Sequence, residues 1–139
     1  MTILCVVPVH NRLGMTLQFL DSLDQQTVHE PISVLIVDDG STDGTAQTLH
    51  ARSGRFPVRI ITGNGNWWWG GSVWQAIQHL KTTAKPGDWV FLANNDTVLD
   101  PDYLAHLCET ASRNERTVVG GRSFEIWPDG TRHPVSSGF

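Results

Sequence analysis

Ile3-Leu4-Cys5-Val6-Val7-Pro8-Val9-His10-Asn11-Arg12 decides the fold. Residues 3–7 are apolar without a break, the pattern of a strand buried on both faces. Polar, turn-prone residues follow at once, so the strand ends at a solvent-facing edge. Further along, Met15, Phe19 and Leu23 lie four apart with Leu20 beside them, which predicts a helix over 13–26. Residues 32–37 form a second apolar run, 45–51 a short helix, and 58–62 a third strand. Val73, Ala76, Ile77 and Leu80 follow i, i+3, i+4, i+7 spacing and predict a helix over 72–81. Residues 89–93 read as the fourth strand. Asp100-Pro101 then supplies an N-cap and a first helical residue, and Leu104, Leu107, Cys108 and Ala111 form that helix's stripe. Residues 117–121 read as a fifth strand. Pro128-Asp129-Gly130 predicts a turn in the tail, within a hairpin or an ordered loop.

Strands alternating with helices over short links define an α/β fold with a mostly parallel sheet and right-handed crossovers. The 139 residues fit one domain, 1–139, and a hydrophobic fraction of 40% with 17% charged residues is enough for a core. A net charge of −4 argues against a nucleic-acid surface, which needs a basic patch. Cys5 and Cys108 lie in apolar stretches without metal or redox spacing, so both are read as free thiols in a reducing cytoplasm. The first apolar run is short, ends at Pro8 and has no basic segment before it, so no signal peptide is expected. No run approaches the roughly 20 apolar residues that cross a bilayer.

In parallel α/β sheets ligands bind beyond the carboxyl ends of the strands. Four polar clusters stand there: Pro8-Val9-His10-Asn11-Arg12, Asp38-Asp39-Gly40-Ser41-Thr42-Asp43-Gly44, Gly63-Asn64-Gly65-Asn66 ahead of Trp67-Trp68-Trp69-Gly70-Gly71, and Asn94-Asn95-Asp96. Convergence of four such clusters describes a site. A carboxylate among Asp38 and Asp39 accepts hydrogen bonds and suits a pyrimidine N–H, although Asp also serves as an ordinary turn residue. No Gly-x-Gly-x-x-Gly or Walker phosphate loop is present, which speaks against dinucleotides. Asp96 is read as a metal ligand, since a carboxylate facing a diphosphate needs a cation between them. With no His or Cys cluster nearby, the expected ion is Mg or Mn. Three adjacent tryptophans cannot all face one core, so some pack at the sheet edge while at least one is expected to line a sugar pocket. Gly70 and Gly71 are expected to admit backbone close to a ligand and to start the next helix, whose N-terminus suits a phosphate. His10 is read as a stacking or hydrogen-bonding residue rather than a metal ligand.

Taken in order, Val6 to Arg12, Val37 to Thr45 and Asn94-Asn95-Asp96-Thr97 resemble family-2 glycosyltransferases of the GT-A fold. The stretch from Gly63 to Gly71 is similar to a Trp-Trp segment of a rhamnosyltransferase-like bacterial branch. The resemblance runs from Ile3 to about Leu107. It implies a Rossmann-like nucleotide-binding half truncated before the acceptor half, with the sequence as a fragment of a larger enzyme. It implies transfer of a sugar from a nucleoside diphosphate sugar, UDP- or dTDP-type, to an acceptor hydroxyl with inversion. Glycan, lipid-linked and protein acceptors all stay open.

The implied nucleotide-binding residues are Pro8, Val9, His10, Asn11, Asp39, Asn66, Gly70, Gly71 and Asn95, with Asp96 holding the metal. Asn94 and Asn95 leave one carboxylate where relatives carry two, and Trp74 replaces a usual Asn. A general base belongs well downstream, and Asp100, Asp102, Glu109, Glu115, Glu125 and Asp129 come early for it, so it is expected beyond Phe139. With free thiols and no signal peptide the expected location is the cytoplasm, the full-length enzyme being able to lie against the inner face of a membrane. An uncovered acceptor side favours self-association. Two alternatives stand beside this reading. One is a non-catalytic nucleotide-binding or assembly module of the same fold; the other is a sugar nucleotidyltransferase.

Overall fold

The computed structural model describes residues 1–114 and 116–135. Glu115 and residues 136–139, the end of the expected tail, lie outside the described residues. Strands β1 (Ile3–Val9), β2 (Ile32–Asp38), β3 (Val58–Thr62) and β4 (Trp89–Leu92) form one parallel sheet in the order β3-β2-β1-β4. The register pairs Ile3 with Ile32 and, on the other side, with Trp89. Helices α1 (Leu13–Asp24), α2 (Thr45–Ala51), α3 (Trp68–Thr83) and α4 (Tyr103–Ser112) alternate with the strands.

Side-chain alternation along the strands divides the core in two. Cys5, Val7, Val9, Val34 and Ile36 face one side, where Phe19, Leu20 and Leu23 of α1, Leu49 of α2 and Leu104 of α4 cover them. Val6, Leu35 and Val37 face the other side and pack on Ala76 of α3, with Trp67 and Leu80 at the margin. A fully buried side chain such as Phe19 contributes about 1.5–3 kcal/mol by leaving water. α3 packs on β1 and β2. On that face Val90 and Leu92 of β4 stay exposed, as do Trp74 and Ile77 of α3. Cys5 is buried and Cys108 half-buried, and both are free thiols. Burial pushes Cys5 far above the ordinary thiol range. Burial first, then the charge of Glu30, pushes Cys108 up to about 11.

Several expectations need correction. Residues 117–121 form no strand: Val118 is fully exposed, and β4 is the edge of the sheet among the described residues. The chain there crosses Tyr103, whose phenol lies close against Gly121. The tail forms an antiparallel hairpin of β5 (Phe124–Ile126) and β6 (Arg132–Pro134) around the expected turn. α1 stops at Asp24, two residues earlier than expected. α4 begins at Tyr103, not Pro101. Its N-terminus is satisfied by Gln26, whose Oε1 accepts from the Leu104 N–H at 2.9 Å. Asp100 does not cap it; its carboxylate takes a bidentate pair from Arg132 at 2.8 and 2.9 Å. α3 begins at Trp68, four residues before the expected start at 72, which places Gly70 and Gly71 in its first turn.

Candidate functional site

The chain runs outward from β1 through β2 to β3, then returns to place β4 on the other side of β1. Loops leaving β1 and β4 therefore diverge, and the crevice between them is the usual ligand position in such sheets. A cleft of about 510 Å³ opens there, lined by residues 8–12, Asp39, Gly65, Trp68, Trp69, Ser72 and Asn95. A larger groove of about 860 Å³ between β4 and α4 is lined mainly by apolar residues such as Phe91 and Leu107. The first is the candidate site, because polar groups from all four strand ends converge on it.

The acidic segment after β2 organises the loops around the cleft. Asp38, buried, accepts from the N–H and hydroxyl of Ser41. Asp39, also buried, accepts three backbone N–H groups: Gly65 on Oδ1 at 2.8 Å, and Trp67 and Trp68 on Oδ2 at 2.8 and 2.9 Å. It thereby caps α3 from outside that helix. Asp43 accepts from Leu13 N–H at 3.0 Å and Thr45 N–H at 3.2 Å, capping α1 and steadying α2. The Thr45 hydroxyl first, then the Leu13 N–H, hold its carboxyl below the usual range. Each carboxylate of the segment thus has partners within the protein, and Asp39 keeps acceptor capacity only on Oδ1.

Residues 10–12 form the floor. His10 Nδ1 lies 2.6 Å from the Asp39 carbonyl, which can only accept, so Nδ1 carries the proton. Nε2 then accepts from the Asn11 side-chain amide at 3.3 Å. Both ring nitrogens are engaged, which leaves the ring face for stacking. Asn11 and Arg12 both adopt left-handed backbone, φ 56° and 61°. For non-glycine residues this costs roughly 1–2 kcal/mol each. Hydrogen bonds hold the turn: Asn11 N–H donates to Ser41 Oγ at 2.7 Å, and Asn11 Oδ1 accepts from Thr42 N–H at 2.8 Å.

Across the mouth, Arg12 Nη1 lies 3.6 Å from Asp96 Oδ2. The Arg12 carbonyl accepts from the Thr16 hydroxyl at 3.2 Å, and that hydroxyl accepts from Asn95 Nδ2 at 3.0 Å. Residue 12 is therefore tied to the 95–96 loop through both side chain and backbone. Of the tryptophans, Trp67 packs against the Val6–Val37 cluster, while Trp68 and Trp69 line the cleft. Trp68 is 80% exposed, with φ 55°, an uncommon conformation for so large a side chain. Trp69 Nε1 donates to Asn94 Oδ1 at 3.0 Å, bracing α3 against the end of β4.

Of the expected site residues, Pro8, Val9, His10, Asn11, Asp39 and Asn95 line the cleft together. Asp96 stands outside the lining and meets it through Arg12. Asn66, Gly70 and Gly71 do not line it: Asn66 folds back on Asn64, and Gly71 packs against Trp67. Arg12, Gly65, Trp68, Trp69 and Ser72 also line the cleft and were not in that set. Arg12 directly continues the β1 cluster, so its position was a usable signal. Ser72 carried none beyond its place on a helix.

The chain belongs to glycosyl transferase family 2, which matches residues 4–137. It is 36% identical, over 95% of its length and 44% of the relative's, to an N-acetylglucosaminyl-diphospho-decaprenol L-rhamnosyltransferase of Mycobacterium tuberculosis. It is 27% identical to an uncharacterized glycosyltransferase of Mycoplasma pneumoniae, over 86% of the chain and 40% of that protein. The chain thus spans less than half the length of the curated relatives it matches. In fold it is similar to S. aureus TarS, with a TM-score of 0.66 and 24% identity over 81% of the chain and 20% of TarS. TarS 1-349 in complex with UDP gives 0.65 and 19% over 86% of the chain and 38% of that structure.

Proposed function

We propose that this chain binds the donor of an inverting glycosyltransferase, a UDP- or dTDP-type nucleoside diphosphate sugar, in the cleft beside β1. The observation that carries the reading is the convergence of residues 8–12, Asp39 and Asn95 on one crevice at the point where the strand order reverses. The base would lie toward Pro8, His10 and Asp39, with the open lone pair of Asp39 Oδ1 accepting a pyrimidine N–H. The sugar and diphosphate would lie toward Trp69, Asn95 and Asp96. The M. tuberculosis relative's name supports a lipid-linked acceptor and a deoxyhexose, and the UDP complex of TarS supports a uridine donor.

Among the described residues no group of three or more His, Cys, Asp or Glu gathers to hold a metal. Mg or Mn nonetheless fits Asp96, because such ions take one or two carboxylates and complete their shell with substrate phosphates and water. Asp96 is half-exposed and holds one long ion pair, so its oxygens are accessible. When bound, the ion would neutralise charge on a departing diphosphate. The protein's own part is to fix the donor and leave the anomeric carbon open to an acceptor hydroxyl on the face opposite the diphosphate.

No described acid after Asp96 lines the cleft. Asp100 pairs with Arg132, Asp102 with His106 and Glu109 with Arg113; Asp129 accepts from Thr131 in the turn, and Glu125 lies on the hairpin. That arrangement favours a second reading, donor binding without transfer by these residues alone. Membership of family 2 leaves the nucleotidyltransferase alternative without support.

Calorimetric titration with UDP and dTDP, in Mn²⁺ and in EDTA, tests the proposal. At least one diphosphate should bind more tightly with Mn²⁺, and Asp96→Ala should remove that gain, roughly tenfold or more. Failure of both diphosphates to bind in Mn²⁺ would remove the donor site. A turnover assay of this chain beside a longer one separates transfer from binding. Association through the uncovered β4 side is also expected, because Val90, Leu92, Trp74 and Ile77 expose apolar surface there. Light scattering giving a monomer mass at high concentration refutes it. Among the described residues no helix is long and apolar enough to cross a membrane.

A further inference from the structure

We infer that Arg12 is the protein's cationic ligand for the diphosphate, held in the ligand-free state by Asp96 and exchanged to phosphate when a divalent ion takes its place there. The inference rests on the donor-binding reading of the cleft. It starts from charge. A nucleoside diphosphate brings several negative charges into a crevice whose lining includes Asp39 and borders Asp96. Among the lining residues Arg12 is the one permanent cation, since the nearby imidazole of His10 has both nitrogens engaged in hydrogen bonds.

Backbone geometry supplies an independent argument. Residues 11 and 12 are consecutive non-glycine positions in left-handed backbone, and the surrounding loops hold them there through Ser41 and Thr42. Strain persists only where neighbours over-determine it, and it gathers at functional sites. Here it turns the Arg12 side chain toward the end of β4 instead of out from the first turn of α1. The carbonyl of the same residue reaches Thr16 and through it Asn95, so backbone and side chain of position 12 converge on the 95–96 loop.

The 3.6 Å pair with Asp96 is long, and both side chains are about half-exposed or more. Such a pair is weak and exchangeable. A divalent ion outcompetes a guanidinium for one carboxylate when phosphate oxygens complete its shell. The released guanidinium has the planar fork that suits phosphate oxygens. Arg12 and the ion would then share the diphosphate charge, which accounts for how a site with a single carboxylate near the cation can hold it.

The assignment predicts effects of opposite sign from one substitution. By calorimetry in Mn²⁺, Arg12→Ala should weaken UDP or dTDP binding roughly ten- to hundredfold. Uridine or thymidine binding should stay unchanged. Mn²⁺ alone, without nucleotide, should bind Arg12→Ala about two- to fivefold more tightly, because its competitor for Asp96 is gone. Arg12→Lys should recover part of the diphosphate affinity, and Arg12→Gln should not. Arg12 is exposed, so circular dichroism melting should match wild type in all three variants. If Arg12→Ala binds the diphosphates like wild type, the assignment falls while the donor site stands. An equal loss of nucleoside and diphosphate affinity, or no tightening of Mn²⁺, also overturns it, as would be expected of a merely structural residue. Should wild type bind neither diphosphate, the donor-binding reading falls first and this one with it.

Discussion

Asp39→Ala is expected to destabilise the fold by about 2–4 kcal/mol and to abolish measurable nucleotide binding. The carboxylate holds the N–H groups of Gly65, Trp67 and Trp68 at 2.8–2.9 Å. Hydrogen bonds to a charged acceptor contribute about 1.5–3 kcal/mol each, but these donors lie on a partly exposed loop where water replaces some of the loss. Removing the side chain frees the first turn of α3 and the loop before it, so both cleft tryptophans lose their placement. Urea denaturation followed by circular dichroism measures the first effect, and calorimetry the second. Asp39→Asn separates the two roles: it keeps one acceptor oxygen but sets an amide –NH₂ against N–H donors, so an intermediate loss of about 1–2 kcal/mol is expected. If Asp39→Ala denatures at the wild-type midpoint, the residue is a ligand contact only and the clamp plays no part in stability.

Gly40→Ala should cost about as much, roughly 2–4 kcal/mol, for a different reason. Gly40 has φ +68°, and a Cβ there would sit 2.7 Å from the backbone nitrogen of Gly65 and 3.1 Å from its Cα. The strain of a left-handed alanine is about 1 kcal/mol. The rest follows from backbone contacts that cannot rotate aside, so the β3–α3 loop must move. That movement breaks the Gly65 N–H bond to Asp39 Oδ1, so the two substitutions act on one junction. A double mutant should therefore be destabilised by less than the sum of the singles, by at least about 0.5 kcal/mol. Additive losses, or a Gly40→Ala midpoint equal to wild type, would show that the two loops do not depend on this close approach.

Much of the fold was legible from residue order alone. Short, mainly apolar stretches between helix patterns marked all four parallel strands, and the observed α2 and β3 cover the residues read for them, 45–51 and 58–62. β1 and β2, buried on both faces, left the clearest signature, because a short apolar run bounded by turn residues is too short for a helix. Residues 117–121 misled because β-propensity reports a fit to a pleated surface, and among the described residues the outer edge of β4 pairs with no strand. The gathering of residues 8–11, Asp39 and Asn95 at one rim also followed from the alternation. In a parallel sheet every strand delivers its following loop to the same edge.

The partners of those residues did not follow. α1, α3 and α4 begin without a side-chain hydrogen bond from their own capping residue. Asp43, Asp39 and Gln26 meet their first N–H groups from elsewhere in the chain. Helix starts are read from sequence by looking for a cap next to the helix, which placed α3 four residues late and assigned Asp100 the wrong partner. An acidic turn segment announces acceptors but not which donors reach them. Residue order thus determined the four strands of the parallel sheet and which loops share an edge, because burial and periodicity are local properties of the chain. Only the tertiary structure decided that Asp39 binds backbone and that Arg12 faces Asp96, because a hydrogen bond or ion pair depends on distances of a few ångströms between residues 26 to 84 positions apart.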